Sequence, residues 1–358
     1  MSQFYMKISL VIILAVVHVS IFAQNLPEKI DHYLRQTNTR NKFNGTALVV
    51  YQDKILLYRG YGFKNAARKI LNDTATIFRI GSISKSFTAA VILHLAENNR
   101  LNIDDLLEKY IRDYPDGNKI SIRDLLNHTS GIPEYLFAKG YDHEDFTKPI
   151  SIDRLISFFK NGKLLFPPGQ KFSYSNSNYT LLAYIIEKIT GKKYEDVVRT
   201  MIFQPLQMDH SGLNFRNLAD TNKATGYKNI YKKKSESPAV SDSTHEIGSG
   251  SIYATVMDLY RWQQSFSSNN ILMTTSIHAA FTPNLFHYGF GWFIDTAYGK
   301  LNIFHGGGIP GFVAHIQQFP GDKLYIILLS NNSYCDLAEM GNKIAAIVFD
   351  MPFENAIY

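Results

Sequence analysis

Ser82 and Lys85 stand three residues apart ahead of a run, Phe87 to Ala96, whose apolar residues fall at helical spacing. On a helix the hydroxyl and the amine then share one face. A hydroxyl beside an amine is a nucleophile with its activator, and the backbone N–H groups of a helix start favour developing negative charge. The same spacing recurs at Ser157 and Lys160, inside an amphipathic segment, so Ser-x-x-Lys alone proves little. What sets Ser82 apart is Gly81 before it and the helix start after it. A serine there serves equally well as a helix cap.

Two further groups could share a site with it. In Lys171-Phe172-Ser173-Tyr174-Ser175-Asn176, a phenol near a lysine can have its pKa lowered and act as a base or proton shuttle. Asn176 could hold a substrate amide or position Lys85. The plainer alternative is a loop residue, Tyr174, packed over the core. A rival Tyr-x-Asn, Tyr227-Lys228-Asn229, lies in the polar stretch Asp220 to Ser243, which reads as surface. The third group is His305-Gly306-Gly307-Gly308, where glycines at the end of a strand let a ligand approach the backbone. One N–H there could complete an oxyanion hole with that of Ser82. A flexible turn fits three glycines equally well. Gly306 to Gly311 also spells Gly-x-Gly-x-x-Gly, but it leads into a strand and contains Pro310, so it is discounted as a dinucleotide site.

These groups need elements to hold them. Pro27 to Gln36 has helical spacing, and Gly45 to Tyr51 with Lys54 to Tyr61 form a hairpin turning at Gln52-Asp53. From about 90 to 245 the pattern is helical and loop-rich, with helices at Ile120–Asn127, Ile150–Lys160, Asn178–Gly191 and Tyr194–Phe203. The last third returns to strands at Tyr288–Ile294, Leu301–His305, Gly311–Phe319 and Lys323–Ser330, before a final helix from Cys335 to Phe349. The expectation is an α+β fold. An antiparallel sheet is built from both chain ends (about 24–89 and 246–358) and flanked by helices, with a mostly helical region (about 90–245) inserted. Residues 24–358 are expected to form one domain.

Composition narrows the function. With 45% hydrophobic and 19% charged residues, the 358-residue chain is an ordinary globular one with enough length for a large core. Lys7 followed by the apolar run Ile8 to Ala23 predicts a secretory signal peptide over 1–23, and hence a secreted or periplasmic protein. The alternative is a membrane anchor, for which the run is short; no later stretch is long and apolar enough to span. Without that segment the net charge falls from +6 to +5 by loss of Lys7. The basic cluster Lys228, Lys232, Lys233 and Lys234 has no nucleic-acid motif around it, so no nucleic-acid partner is expected. Cys335 is alone, which excludes an internal disulfide. There is no Gly-x-Ser-x-Gly, no His-Glu-x-x-His and no P-loop, so no metal and no cofactor is inferred.

Ser82-x-x-Lys85, Tyr174-x-Asn176 and His305-x-Gly307, in this order, resemble the motifs of the class C β-lactamase-like serine hydrolases. That superfamily takes in β-lactamases, penicillin-binding DD-peptidases, D-aminopeptidases and esterases. Leu125 to Ile132, Tyr174 to Tyr179 and Gly248 to Ser251 look similar too, and the likeness runs from about Asn44 to Asn332. The resemblance implies that Ser82 forms an acyl-enzyme, that Lys85 and Tyr174 move its proton, and that Asn176 orients the substrate amide. It implies that His305, Gly306 and Gly307 border the substrate, and that the Gly308 and Ser82 N–H groups form the oxyanion hole. His305 stands where β-lactamases of this type carry lysine. A neutral imidazole holds a substrate carboxylate less well than an ammonium does. The implied substrate is therefore an ester, an amide or a D-amino-acid peptide, with β-lactams as substrates or inhibitors. A true β-lactamase and a non-catalytic binder of penicillin or wall fragments are the alternatives.

Overall fold

The structure, a computed structural model, describes residues 26–232 and 235–353. The expected signal segment, 1–23, lies outside them. Helix α1 covers residues 26–39. Strands β1 (Gly45–Tyr51) and β2 (Lys54–Tyr61) form the expected hairpin, with Gln52 and Asp53 both left-handed (φ 49° and 63°), as a two-residue turn matching strand twist requires. Short strands β3 (Phe63–Asn65), β4 (Ile70–Leu71) and β5 (Phe78–Arg79) lead to α2 (Ser84–Glu97). The middle of the chain supplies α3 (Ile122–Leu126), α4 (Ile152–Ser157), α5 (Asn176–Thr190) and α6 (Tyr194–Val198). Then come β6 (Tyr253–Ala254), α7 (Val256–Ser268), α8 (Thr274–Ala280), β7 (Phe293–Ala297), β8 (Lys300–Ile309), β9 (Phe312–Phe319), β10 (Leu324–Ser330) and α9 (Leu337–Phe349).

The main sheet runs β2-β1-β10-β9-β8-β7, antiparallel throughout, so the two chain ends meet where β1 pairs with β10. Side chains alternate across a strand, and here the alternation feeds two cores. Ala47, Val49, Ile326 and Leu328 pack with Ile30 and Leu34 of α1 and Ile344 and Ala345 of α9. Leu48, Val50, Ile327 and Leu329 face the larger core that holds α2, α5 and α7. Helix α2 is buried nearly all round, which is why its sequence reads as a continuous apolar run rather than a stripe.

Four expectations change. Tyr288 to Ile294 is not one strand: Gly291 is left-handed (φ 78°), the backbone breaks there, and β7 begins at Phe293. A Cβ on Gly291 would stand 2.8 Å from Ser86 Cα, so this loop presses on the start of α2. The glycines after His305 do not end a strand, because β8 continues through them to Ile309, paired with β9. The stretch 220–243 is not all surface: Ala224 and Tyr227 are buried, and Tyr227 N–H donates to Asn331 O. The region 246–358 also contains α7 and α8 besides strands. Thr255 caps α7 by accepting from Asp258 N.

Candidate active site

Ser82 lies in a single tight turn, Gly81–Ile83, that leads into α2. Gly81 makes the turn possible, with a left-handed backbone (φ 52°) and Gly308 N only 2.8 Å from where a Cβ would be. Lys85 begins the next turn and has no solvent exposure. Its Nζ stands 3.2 Å from Ser82 Oγ, 2.7 Å from Asn176 Oδ1 and 2.8 Å from Ser249 O. Burial pulls the amine down to about 7, opposed by the charge of Glu134. A neutral amine has two N–H bonds and one lone pair. Asn176 Oδ1 and Ser249 O are acceptors only, so they take the two N–H bonds. The lone pair is left for the Ser82 hydroxyl. The arrangement can deprotonate a serine.

Tyr174 completes the group. The Lys85 ammonium position lies 4.8 Å from its ring centroid, and the phenol hydrogen-bonds with Ser82. Its pKa is not lowered as expected from a neighbouring lysine. Burial raises it, with the Ser82 hydrogen bond opposing, so the phenol stays protonated and is suited to give a proton rather than to take one first. The His128 ring packs against its ring at a tilt of 36°, with centroids 4.3 Å apart. The His128 backbone is itself left-handed (φ 61°), and its Nδ1 accepts from Ser175 N at 3.2 Å, which fixes the segment carrying Tyr174 and Asn176.

Alternation along β8 sorts the third group. His305 and Gly307 point to the Ser82 side, opposite Ile316 and Ala314, whereas Gly306 and Gly308 point to the α9 side, opposite His315 and Val313. Gly307 must be glycine, since a Cβ would stand 1.9 Å from Ile80 O and 3.3 Å from Ser82 N. That contact lays the β8 backbone against the Ser82 turn, with the amide of Gly308 beside Gly81. His305 is not offered to a substrate as a charged group. It is buried; its ring nitrogens stand 2.6 Å from Gly306 O (Nδ1) and 3.1 Å from Tyr288 Oη (Nε2), and burial holds it at about 3. With Nδ1–H donated to the carbonyl, Nε2 accepts from the Tyr288 hydroxyl. Gly306 does not border the Ser82 side either; it supplies the carbonyl that holds the imidazole.

Ser157 and Lys160 take no part: Ser157 is exposed and its hydroxyl donates to Arg154 O. Tyr227 is packed elsewhere, accepting from Ala66 N. Among the described residues no cluster of His, Cys, Asp or Glu is placed to hold a metal, and no helix is long and apolar enough to cross a membrane. Two contributors escape a reading of side-chain motifs. One is the Ser249 carbonyl, a backbone group without residue signature. The other is Glu134, whose Oε2 accepts from both Asn176 N (2.6 Å) and Asn176 Nδ2 (2.9 Å) across 42 residues.

Penicillin-binding protein 4* of Bacillus subtilis is 30% identical to this chain over 92% of it and 78% of the relative. A penicillin-binding protein homologue from Pyrococcus abyssi superposes with a TM-score of 0.81 at 25% identity, over 92% of this chain and 79% of that one. The D-amino acid amidase of Ochrobactrum anthropi shares the fold, with a TM-score of 0.79 at 19% identity over 92% and 98%. The Beta-lactamase family matches residues 30–348. From α1 through α9, and with the Ser82 turn seated against β8, this chain belongs to the Beta-lactamase family.

Proposed function

We propose that the protein is an exported serine hydrolase in which Ser82 attacks an ester or amide carbonyl and carries the acyl group. The observation that carries this reading is the environment of Lys85: a buried amine at about pKa 7, with both N–H bonds engaged and its lone pair on Ser82 Oγ. Lys85 takes the hydroxyl proton as Ser82 Oγ bonds to the carbonyl carbon. The oxyanion that forms is met by the N–H groups of Ser82 and Gly308. Tyr174, held protonated, gives its proton to the leaving oxygen or nitrogen and is reprotonated from Lys85. Water then reverses the sequence and releases the acid.

Within this chemistry, peptidase, amidase or esterase action is favoured over β-lactam hydrolysis. The place where a lysine would meet a substrate carboxylate is filled by His305, neutral and committed to Gly306 O and Tyr288. The relative named for penicillin binding supports penicillin as an acylating ligand even where it is not turned over.

Intact-mass measurement after exposure to benzylpenicillin, nitrocefin and p-nitrophenyl acetate tests the proposal. The expected result is a one-equivalent adduct that is absent from Ser82→Ala, with slow or no nitrocefin turnover. Ser82→Ala hydrolysing the esters at the wild-type rate would overturn the mechanism. Rapid nitrocefin turnover would instead make the protein a β-lactamase. Export is tested separately, by whether the full chain is recovered outside the cytoplasm and begins near Gln24.

A further inference from the structure

We propose that Glu134 is a positioning residue: its carboxylate locks the orientation of the Asn176 amide and thereby aims the Lys85 lone pair at Ser82. The inference rests on the serine-hydrolase reading but concerns a residue outside its three motifs. An asparagine side chain can present either oxygen or nitrogen to a neighbour with almost the same shape. Facing Lys85, the two choices are not equivalent. Oδ1 accepts an N–H from the amine and leaves the lone pair free, whereas Nδ2 would compete for that lone pair.

Glu134 makes the choice. A carboxylate only accepts, so the group turned toward it must be Nδ2, and the distance is 2.9 Å. The same oxygen accepts Asn176 N–H at 2.6 Å, and Glu134 Oε1 accepts Leu136 N–H at 3.1 Å. The segment carrying the carboxylate is itself tied to the start of α5, because Ser177 Oγ donates to Pro133 O at 2.7 Å and accepts from Tyr135 N at 3.0 Å. Asn176 Oδ1 is therefore turned to Lys85, at 2.7 Å. The chain Glu134, Asn176, Lys85, Ser82 runs without a break.

Charge acts along with orientation. Around Lys85 stand Ser82 in the turn before α2, Tyr174 and Asn176 at the start of α5, Tyr179 within it, His128 after α3, His305 on β8 and the Ser249 carbonyl. Burial, and then the Lys85 charge, disfavour protonation of His128 and His305, so both stay neutral. Glu134 supplies the negative charge that keeps the amine from falling further. A simple helix cap would share the contact to Asn176 N, so the test must separate a cap from an orienting group.

The measurement is the rate of covalent labelling by a fluorophosphonate as a function of pH, which reads serine activation without needing the natural substrate. Glu134→Gln keeps the shape but removes the charge and lets both amides turn over. Its plateau rate should fall by about tenfold or more, as expected for a disturbed base. The pH at which labelling rises should move below the wild-type value, because the amine loses its negative neighbour. In an Asn176→Ala background, Glu134→Gln should cost less than about twofold, since the residue through which it acts is gone. Circular dichroism establishes that each variant is folded at the assay temperature. Wild-type labelling with an unmoved pH midpoint in Glu134→Gln would overturn the proposal, as would a slower rate with an unmoved midpoint that simply adds to Asn176→Ala. Labelling of the wild type that persists in Ser82→Ala would instead remove the serine-hydrolase reading, and this one with it.

Discussion

A lysine with no solvent exposure costs a fold stability whenever it must hold a proton there. Lys85 titrates near 7 in this structure, against about 10.4 for an exposed lysine. Between those values the unfolded chain binds a proton that the folded one does not, so folding stability rises with pH across that window. Below about 7 both states are protonated and the penalty is constant. Lys85→Met removes the titration at similar volume. Its stability relative to wild type should therefore fall as pH increases from about 7 to 10, by about 1.4 kcal/mol for each pH unit, in urea titrations of the two proteins. Parallel stability curves over that range would show that the amine is not held neutral. Under the proposed mechanism the same titration governs the rate. Rate should increase with pH through about 7 as Lys85 loses its proton, and the raised Tyr174 phenol should not limit the alkaline side until well above that.

At the scale of elements, the site depends on how close strand β8 comes to the Ser82 turn. Gly307, Gly306 and Gly308 look alike in sequence but differ in space. A methyl group on Gly307 would meet Ile80 O at 1.9 Å, a backbone atom that cannot swing aside, so β8 would be pushed off the Ser82 turn. Nothing lies within 4 Å of a Cβ on Gly308, and for Gly306 only Ala314 O at 4.0 Å. Gly307→Ala is expected to lower the fluorophosphonate labelling rate by about 100-fold, as a displacement of roughly 1 Å can do. Gly308→Ala, which keeps its N–H, should stay within about threefold of wild type. Equal effects of the two substitutions would sink the close-approach argument. The resemblance singled out Gly307 as the motif glycine; the physical reason it differs from Gly306 and Gly308 was not legible, because that depends on the register with β9 and the parity of the pleat. The hairpin and α9 were readable in outline because they carry clear periodicity or turn chemistry. Helix α7 carried such signals as well, in the Thr255 cap and the apolar Val256, Leu259, Tyr260 and Phe266. Tyr288 to Ile294 misled because alternating aromatics mimic a strand until Gly291 turns the backbone. Ser82, Lys85, Tyr174 and Asn176 became legible only through the order of their motifs and the resemblance it carries, since each motif alone is weak. Ser249 lies in the Gly248 to Ser251 stretch of that resemblance but acts through a backbone carbonyl, and Glu134 acts through contacts that no local pattern encodes.

At the scale of the molecule, the residues around Ser82 come from the turn before α2, the loop after α3, the start of α5, the turn before β6, and β8. The helical layer bearing most of them is threaded between the two halves of one sheet. Strand β10 is buried along its whole length, with Ile326 in the core under α1 and α9 and Ile327 in the core shared with α7. Strand β1 divides its side chains in the same way. Neither core can open without stripping one face of these two central strands. We therefore expect the described residues to unfold as one cooperative unit, in line with the one domain expected from the sequence. In a urea titration, loss of Ser82 labelling by a fluorophosphonate should superimpose on loss of far-ultraviolet ellipticity. Ile326→Ala, in the core on the opposite face of the sheet, should shift both curves together by the about 2–5 kcal/mol typical of such a truncation. Labelling that disappears at lower urea than ellipticity would mean that the helical region opens on its own. The site would then be a hinge between two units rather than the seam of one.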